Sequence, residues 1–423
     1  MKVFKFGGAS VNSVERIQKI PQIIRENNQG PLVVIISAMG KTTNALEKVA
    51  EAFFAGKTDE ALSLFEIIKQ QHLQTAKYLL VTHYLDCETR LRSFFTEVEW
   101  LLHDKPVRDY DYYYDQIVCS GELMSTAIIS AYLNETGLGN TWLDVRDILK
   151  TDDHFRDAII HWEETAKHVQ EIVRPELARK GMVLTQGFIG STDENESTTL
   201  GREGSDYSGA VFANLLDAES LTIWKDVPGV MNADPKKYPE AAVISELNYT
   251  EVIEMAYYGA QVIHPKTIQP LQNKEIPLYA RCFLDPALPG TVIRKQVLKT
   301  LPPVIVLKED QVLIEMKARD FSFVEGKPLR QLYQYFEELN VKPNLTQNGA
   351  ITFLCVLDNR VDKIEKLSLA ASTIFDVQVM KGLQLVTIRH YHREIFEKII
   401  GERKVLLRQQ TPETIQVLVT TNS

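Results

Sequence analysis

Cysteine is scarce: Cys87, Cys119, Cys282 and Cys355 are the only four in 423 residues, and no two form a C-x-x-C pair. That scatter argues against a disulfide framework or a cysteine metal cluster and makes a reducing compartment the default. A basic excess is also lacking. Acidic residues outnumber basic ones 56 to 47, for a net charge of −9, whereas a nucleic-acid partner calls for a basic surface. The densest apolar run, Leu32 to Met39, is broken by Ser37 and falls far short of the roughly 20 residues that span a bilayer. The opening Met1-Lys2-Val3-Phe4-Lys5-Phe6 has no apolar h-region or cleavage pattern, so no secretory leader is expected and the chain is placed in the cytoplasm. The G-x-x-x-x-G-K-[ST] phosphate loop is absent too.

What is present is ordinary globular material, 44% hydrophobic and 24% charged, long enough for two or three domains. Val3, Phe4 and Phe6 predict a strand stopped by Gly7-Gly8. Asn12, with Glu15 three residues on, predicts a capped helix carrying Val14, Ile17, Ile20, Ile23 and Ile24. Leu32 to Ile36 reads as a parallel strand covered on both faces. Residues 44–103 predict two or three long helices. Further helices are expected at Glu122–Asn134, Trp162–Lys180, Ser208–Leu216 and Tyr249–Tyr258. Strands are expected at Met182–Leu184, Ser220–Trp224 and Ile276–Tyr279. This alternation implies an α/β fold around a mostly parallel sheet with helices on both faces. Beyond Thr300-Leu301-Pro302-Pro303 the pattern changes to βαββαβ, with strands expected at Val312–Met316, Val341–Thr346, Ile351–Leu357 and Val377–Met380 and helices at Leu329–Leu339 and Val361–Ala371. A shorter cycle follows, with strand Leu385–Ile388, helix Arg393–Ile400 and strands Val405–Arg408 and Ile415–Val419, and the whole reads as a duplicated small α/β module.

Four segments carry candidate chemistry. Lys5-Phe6-Gly7-Gly8-Ala9-Ser10 leaves the first strand for a helix; its glycines allow close approach of an anion and Lys5 offers an ammonium. An ordinary βα turn with an exposed lysine is the competing reading. Ser37 to Asn44, including Thr43, follows the second strand, where ligands bind in open α/β sheets, or is a loop capping the next helix. Thr199 to Ser208 offers Arg202 for a bidentate grip on a carboxylate, with Asp206 either functional or an N-cap. Lys225 to Pro235 is a turn-rich loop suited to a nucleoside, or a surface turn. The tyrosines at 110, 112, 113 and 114, set among aspartates, read as a packing edge; His264 reads as structural and Cys119 as core.

Lys5-Phe6-Gly7-Gly8-Ala9-Ser10-Val11 resembles the K-F-G-G-T-S-V signature of aspartate kinases in the amino-acid kinase superfamily. The likeness continues through Val34–Met39, Ser120–Ser125, Gly201–Ser208, Asp226–Val230 with Ala233-Asp234-Pro235, and Gly259–Pro265. It implies a three-layer kinase domain over 1–297, then two ferredoxin-like ACT domains over 304–381 and 382–423. The activity implied is transfer of phosphate from ATP to the side-chain carboxylate of L-aspartate, giving 4-phospho-L-aspartate, the first step toward lysine, threonine and methionine. A catalytically silent amino-acid sensor and a glutamate-type kinase are the alternatives.

By that resemblance Lys5 and Asp206 are catalytic. Gly7, Gly8, Ser37, Lys225, Asp226, Met231, Lys236, Gln261 and Val262 contact the nucleotide. Thr43, Glu122, Arg202, Glu203, Gly204 and Ser205 form the substrate pocket, Arg202 on the α-carboxylate and Glu122 on the α-ammonium. No protein metal ligand is implied; Mg enters through the ATP phosphates. Ala9, Glu203, Pro228, Met231 and Gln261 depart from the usual threonine, glycine, aspartate, tyrosine and lysine. The family also implies a homodimer and an amino-acid effector near Phe321–Lys327. There Asn344 stands in place of an aspartate that meets the effector's ammonium. No nucleic-acid or membrane partner is implied.

Overall fold

The computed structural model describes residues 1–260, 263–296 and 301–421. Chain contacts divide it into one unit of 1–230, 243–256 and 261–298, and a second of 231–242, 257–260 and 299–423.

The first unit holds strands β1 (Lys2–Phe6), β2 (Leu32–Ile36), β3 (Thr141–Trp142), β4 (Met182–Gln186), β5 (Ile189–Ser191), β6 (Ser197–Thr199), β7 (Ser220–Lys225), β8 (Glu246–Leu247), β9 (Leu278–Cys282) and β10 (Thr291–Ile293). Eight of them form one sheet in the order β3-β4-β2-β1-β7-β9-β10-β8, and every pair is parallel except β9 with β10. All residues of β2 and β4 are buried, as the continuous apolar run of β2 predicts for a strand covered on both faces. Register aligns the strand ends: Phe6 sits opposite Ile36 on one side and Trp224 on the other, and Ile36 opposite Gln186. The loops after β1, β2, β4 and β7 therefore emerge together, at the sheet edge where such folds bind ligands.

The helices are α1 (Val14–Ile17), α2 (Ile20–Asn27), α3 (Thr42–Phe54), α4 (Thr58–Leu79), α5 (Tyr84–His103), α6 (Tyr110–Val118), α7 (Ser120–Glu135), α8 (Trp162–His168), α9 (Arg174–Lys180), α10 (Gly204–Leu215), α11 (Tyr249–Tyr258) and α12 (Pro265–Asn273). Some local expectations change. The helix expected to carry Val14 through Ile24 is split into α1 and α2, and α10 begins at Gly204 rather than Ser208. Ser13, not Asn12, caps α1, its hydroxyl accepting the Arg16 N–H at 3.3 Å. The single helix expected over Trp162–Lys180 is interrupted by a π-helical segment at Val169–Val173. No helix among the described residues is long and apolar enough to cross a membrane.

The second unit contains β11 (Val304–Ala318), α13 (Lys327–Glu338), β12 (Leu345–Asn348), β13 (Thr352–Asp358), α14 (Val361–Ala371), β14 (Phe375–Arg389), α15 (Arg393–Ile400), β15 (Val405–Gln410) and β16 (Thr414–Thr420). Its sheet is antiparallel, in the order β12-β13-β11-β14-β16-β15, consistent with ACT modules. The strand expected over Val341–Thr346 begins only at Leu345. Position 381/382, expected to separate two modules, lies inside β14. The first half of β11 pairs with the second half of β14 (Val304 with Arg389, Lys308 with Leu385), and the second half of β11 pairs with the first half of β14 (Leu313 with Met380, Ala318 with Phe375). The two modules thus share two long strands. Phe353, Phe375, Leu332 and Phe336 fill one core, and Val386, Ile388, Ile415 and Val417 fill another.

Candidate active site

The loops after β1, β2 and β7 and the start of α10 enclose a cleft of about 600 Å³ within the first unit. Its floor is aromatic. Trp224 stacks on Phe6 with ring centroids 6.1 Å apart, and Phe283 meets Phe6 edge-on at the same separation. Full burial of each such ring contributes about 1.5–3 kcal/mol, so the floor is rigid. The Ser10 hydroxyl donates to the Trp224 carbonyl at 3.2 Å and ties the first loop to β7.

Gly8 explains its own presence. A Cβ there would stand 2.8 Å from the Ala38 carbonyl oxygen and 3.1 Å from that of Gly40, and the Gly40 N–H donates to the Gly8 carbonyl at 3.0 Å. The loops after β1 and β2 thus pack backbone to backbone, which only glycine permits. On the opposite wall, Gly187 lets α10 approach β4, since a Cβ there would meet the Ser205 Cβ at 2.7 Å. The α10 amino terminus thereby lines the cleft through Gly204, Ser205 and Asp206, presenting amides and a partial positive charge.

Charge concentrates around Asp206. Its carboxylate is 2.6 Å from the Lys5 ammonium and 3.6 Å from that of Lys225. Asp206 is not the N-cap of α10; Glu203 occupies that place and Asp206 lies in the first turn. Burial by itself would raise the Asp206 carboxyl, but the charges of Lys5 and Lys225 outweigh it and hold the group below its ordinary value. Glu122, near the start of α7, is 2% exposed. One of its oxygens accepts the Ala38 N–H at 3.3 Å, while the other is buried with no donor among the described residues. Burial pushes its carboxyl up to about 8, against the opposing pull of the Ala38 and Glu122 amides and the Lys5 charge.

Of the residues expected from sequence, Lys5, Gly7, Gly8, Ser37, Thr43, Glu122, Arg202, Glu203, Gly204, Ser205, Asp206, Lys225 and Asp226 all line this one cleft. Met231 and Lys236 fall in the second unit, Met231 half-buried and Lys236 exposed. Gln261 and Val262 lie outside the described residues. Glu203 holds a left-handed backbone at φ 55°, where glycine is favoured, and its carboxylate accepts the His264 N–H at 2.9 Å. The His264 ring accepts the Lys266 N–H at 3.2 Å, in keeping with a structural role.

Sequence reasoning missed Tyr114, Arg156 and Phe188, which also line the cleft, as does Thr199, which opens the third candidate segment without an assigned role. Tyr114 belongs to the tyrosine run read as a packing edge. That reading describes its neighbours, since Tyr112 packs edge-on against Tyr113 and Phe155. Arg156 and Phe188 carry no sequence signal beyond an irregular stretch between predicted elements.

The profile of the amino acid kinase family matches residues 1–281. The lysine-sensitive aspartokinase 3 of Escherichia coli (strain K12) is 29% identical over 396 residues, spanning 91% of this chain and 86% of that protein. The chloroplastic aspartokinase 2 of Arabidopsis thaliana is 30% identical over 399 residues, spanning 90% of this chain and 72% of that protein. A crystal structure of E. coli aspartokinase III in complex with aspartate and ADP, in its R-state, aligns with a TM-score of 0.82 at 26% identity, covering 99% of this chain and 96% of that one.

Proposed function

Because this chain belongs to the amino acid kinase family, and within it groups with the aspartokinases, we propose that it transfers the terminal phosphoryl group of ATP to the side-chain carboxylate of L-aspartate. The observation that carries the reading is the meeting of two anion-binding devices in one cleft. The Lys5–Asp206–Lys225 cluster beside the Gly7-Gly8 turn fits a polyphosphate. Arg202 with the α10 amino terminus fits a carboxylate.

The chemistry suits such a site. An aspartate side chain is ionised at neutral pH, so its oxygen attacks phosphorus without losing a proton, and no general base is required. The obstacle is repulsion between an anionic nucleophile and a polyanionic acceptor, and positioned positive charge lowers that barrier. Lys5 bridges the transferring group, the Gly7 and Gly8 amides face the phosphates, and Asp206 holds Lys5 in place. Arg202 grips the α-carboxylate and Glu122 receives the α-ammonium, with Thr43, Glu203, Gly204 and Ser205 completing the pocket. Ser37, Lys225 and Asp226 reach the nucleotide, as do Met231, Lys236, Gln261 and Val262 by their place in the family's motifs. Mg²⁺, held through the ATP phosphates, supplies further charge neutralisation when bound.

The C-terminal modules, 304–381 and 382–423 in the sequence reading, are assigned to regulation by an amino acid, and the assembly to a homodimer. The product feeds lysine, threonine and methionine synthesis in the cytoplasm. Incubation with ATP, Mg²⁺ and L-aspartate, with hydroxylamine to trap acyl phosphate, tests the reading. Aspartyl hydroxamate is expected; hydroxamate from glutamate alone, or none at all, would overturn it.

A further inference from the structure

The loop before α8 brings a cation into the cleft that no motif anticipates. We propose that Arg156 is a second guanidinium for the substrate's α-carboxylate, acting beside Arg202 and strengthening the preference for a free α-carboxylate. The assignment rests on the phosphoryl-transfer reading above.

Three features place Arg156 there. Its backbone is left-handed, at φ 70°, a conformation that disfavours residues with a Cβ and persists only where the surroundings impose it. The surroundings do impose it. Asp115 of α6, fully buried, accepts the Arg156 N–H at 2.9 Å together with the Thr199 N–H at 2.8 Å and the Thr199 hydroxyl at 2.7 Å. The Ala158 N–H also donates to the Thr199 carbonyl at 2.9 Å. One buried carboxylate therefore clasps the arginine loop to β6, and both Arg156 and Thr199 line the cleft.

The side chain is arranged as a carboxylate receptor. The guanidinium carbon lies 4.4 Å from the centre of the Tyr114 ring, which leaves the planar fork its in-plane donors. Asp111 takes one guanidinium nitrogen at 3.1 Å, while Glu47 stands 4.0 Å from the other, beyond hydrogen-bond distance. A carboxylate entering the cleft can engage that second nitrogen. Charge balance points the same way. Glu203, which also lines this cleft, adds a negative charge unfavourable to an anionic substrate. Arg156 offsets it.

Arg156→Gly is the informative variant, because glycine relaxes the φ of 70° while removing the guanidinium. The expected result is a rise in the L-aspartate KM of about 10-fold or more, with the ATP KM within about 2-fold and an undiminished melting temperature. Arg156→Gln should show the same KM rise, and Arg156→Lys an intermediate one. Wild-type preference for L-aspartate over its α-amide should shrink in Arg156→Gly. An L-aspartate KM within about 2-fold of wild type in both the Gly and Gln variants, with the α-amide preference unchanged, would overturn the assignment. Absence of wild-type turnover would instead sink the underlying reaction, so the two failures are separable.

Discussion

Lys5 and Asp206 form an ion pair at 2.6 Å with side chains only 10% and 4% exposed, at the point where β1 ends and α10 begins. A pair this buried is not mainly a stabilising device, because desolvation of both charges offsets most of their attraction. In the proposed reaction its value lies in holding an ammonium where phosphate oxygens would arrive. Lys5→Ala should reduce turnover by about 1000-fold or more while the fold persists, since Lys225 still faces Asp206 at 3.6 Å. Asp206→Asn should be worse for stability, by about 3–5 kcal/mol, because it strands a buried cation. Hydroxamate assays and melting curves on the two variants check both statements. Near-normal turnover in Lys5→Ala would move the phosphate grip elsewhere.

With Glu122 receiving the α-ammonium as proposed, aspartate binding is expected to be proton-linked. The Glu122 carboxyl, raised to about 8 by burial, is largely protonated in the free protein at pH 7. An arriving ammonium offers the charge partner it lacks, so binding should ionise it and expel up to one proton. Calorimetry at pH 7 in two buffers of different ionisation enthalpy should give heats that differ accordingly, and identical heats would refute the linkage. The same shift has a stability consequence of definite sign. Between the unfolded value near 4.3 and the folded value of about 8, the folded state binds the extra proton, so this group's contribution falls as pH rises through that window. Glu122→Gln should therefore melt higher than wild type at pH 8.5 and lose that advantage at pH 5, though it should bind aspartate poorly.

The two glycines of the first loop should respond differently to alanine. At Gly8 the new methyl group would collide with two backbone carbonyls that cannot swing aside, so Gly8→Ala should raise the ATP KM at least 10-fold or so and destabilise by about 1–3 kcal/mol. At Gly7 the nearest atom is the Lys5 ammonium at 3.3 Å, the end of a flexible chain, so Gly7→Ala should spare stability and mainly lower kcat. Kinetics and melting temperatures of the pair test the contrast. Equal losses of stability would contradict the backbone-to-backbone account.

Long periodic segments were legible from residue types alone. The apolar run of β2, the amphipathic helices Val361–Ala371 and Arg393–Ile400, and Tyr249–Tyr258 appear with the expected bounds. Strands of two or three residues, such as β3, β8 and β10, were not, because so short a stretch carries no period. The first half of β11 was missed for another reason. Lys308-Glu309-Asp310 reads as a turn, and the chain there does shift register, with Asp310 at φ 50°, before pairing resumes at Gln311. At the site, residues held by glycine signatures were found, whereas Arg156 and Thr199 are placed by Asp115, a contact across 41 and 84 positions that no local pattern reveals.

Lysine should be a weak effector of this protein. Asn344, where an acidic residue is expected to meet an effector's ammonium, already accepts a hydrogen bond from the Lys308 ammonium at 2.7 Å and donates to Asp358 at 2.8 Å. Burial drives the Lys308 pKa below its ordinary value, only partly countered by the Asp358 charge, so the resident ammonium is already costly where it stands. A second ammonium arriving beside Asn344 would meet the like charge of Lys308, while the neighbouring Asp358 carboxylate is already engaged by Asn344 and by the Lys308 charge, which disfavours binding. Titration of lysine into the hydroxamate assay should accordingly leave turnover little changed into the millimolar range. Lys308→Met, which removes the competing cation and keeps the apolar stem, should lower the lysine concentration needed for any inhibition. Half-inhibition of the wild-type protein at micromolar lysine would show that the ammonium is received elsewhere than at Asn344.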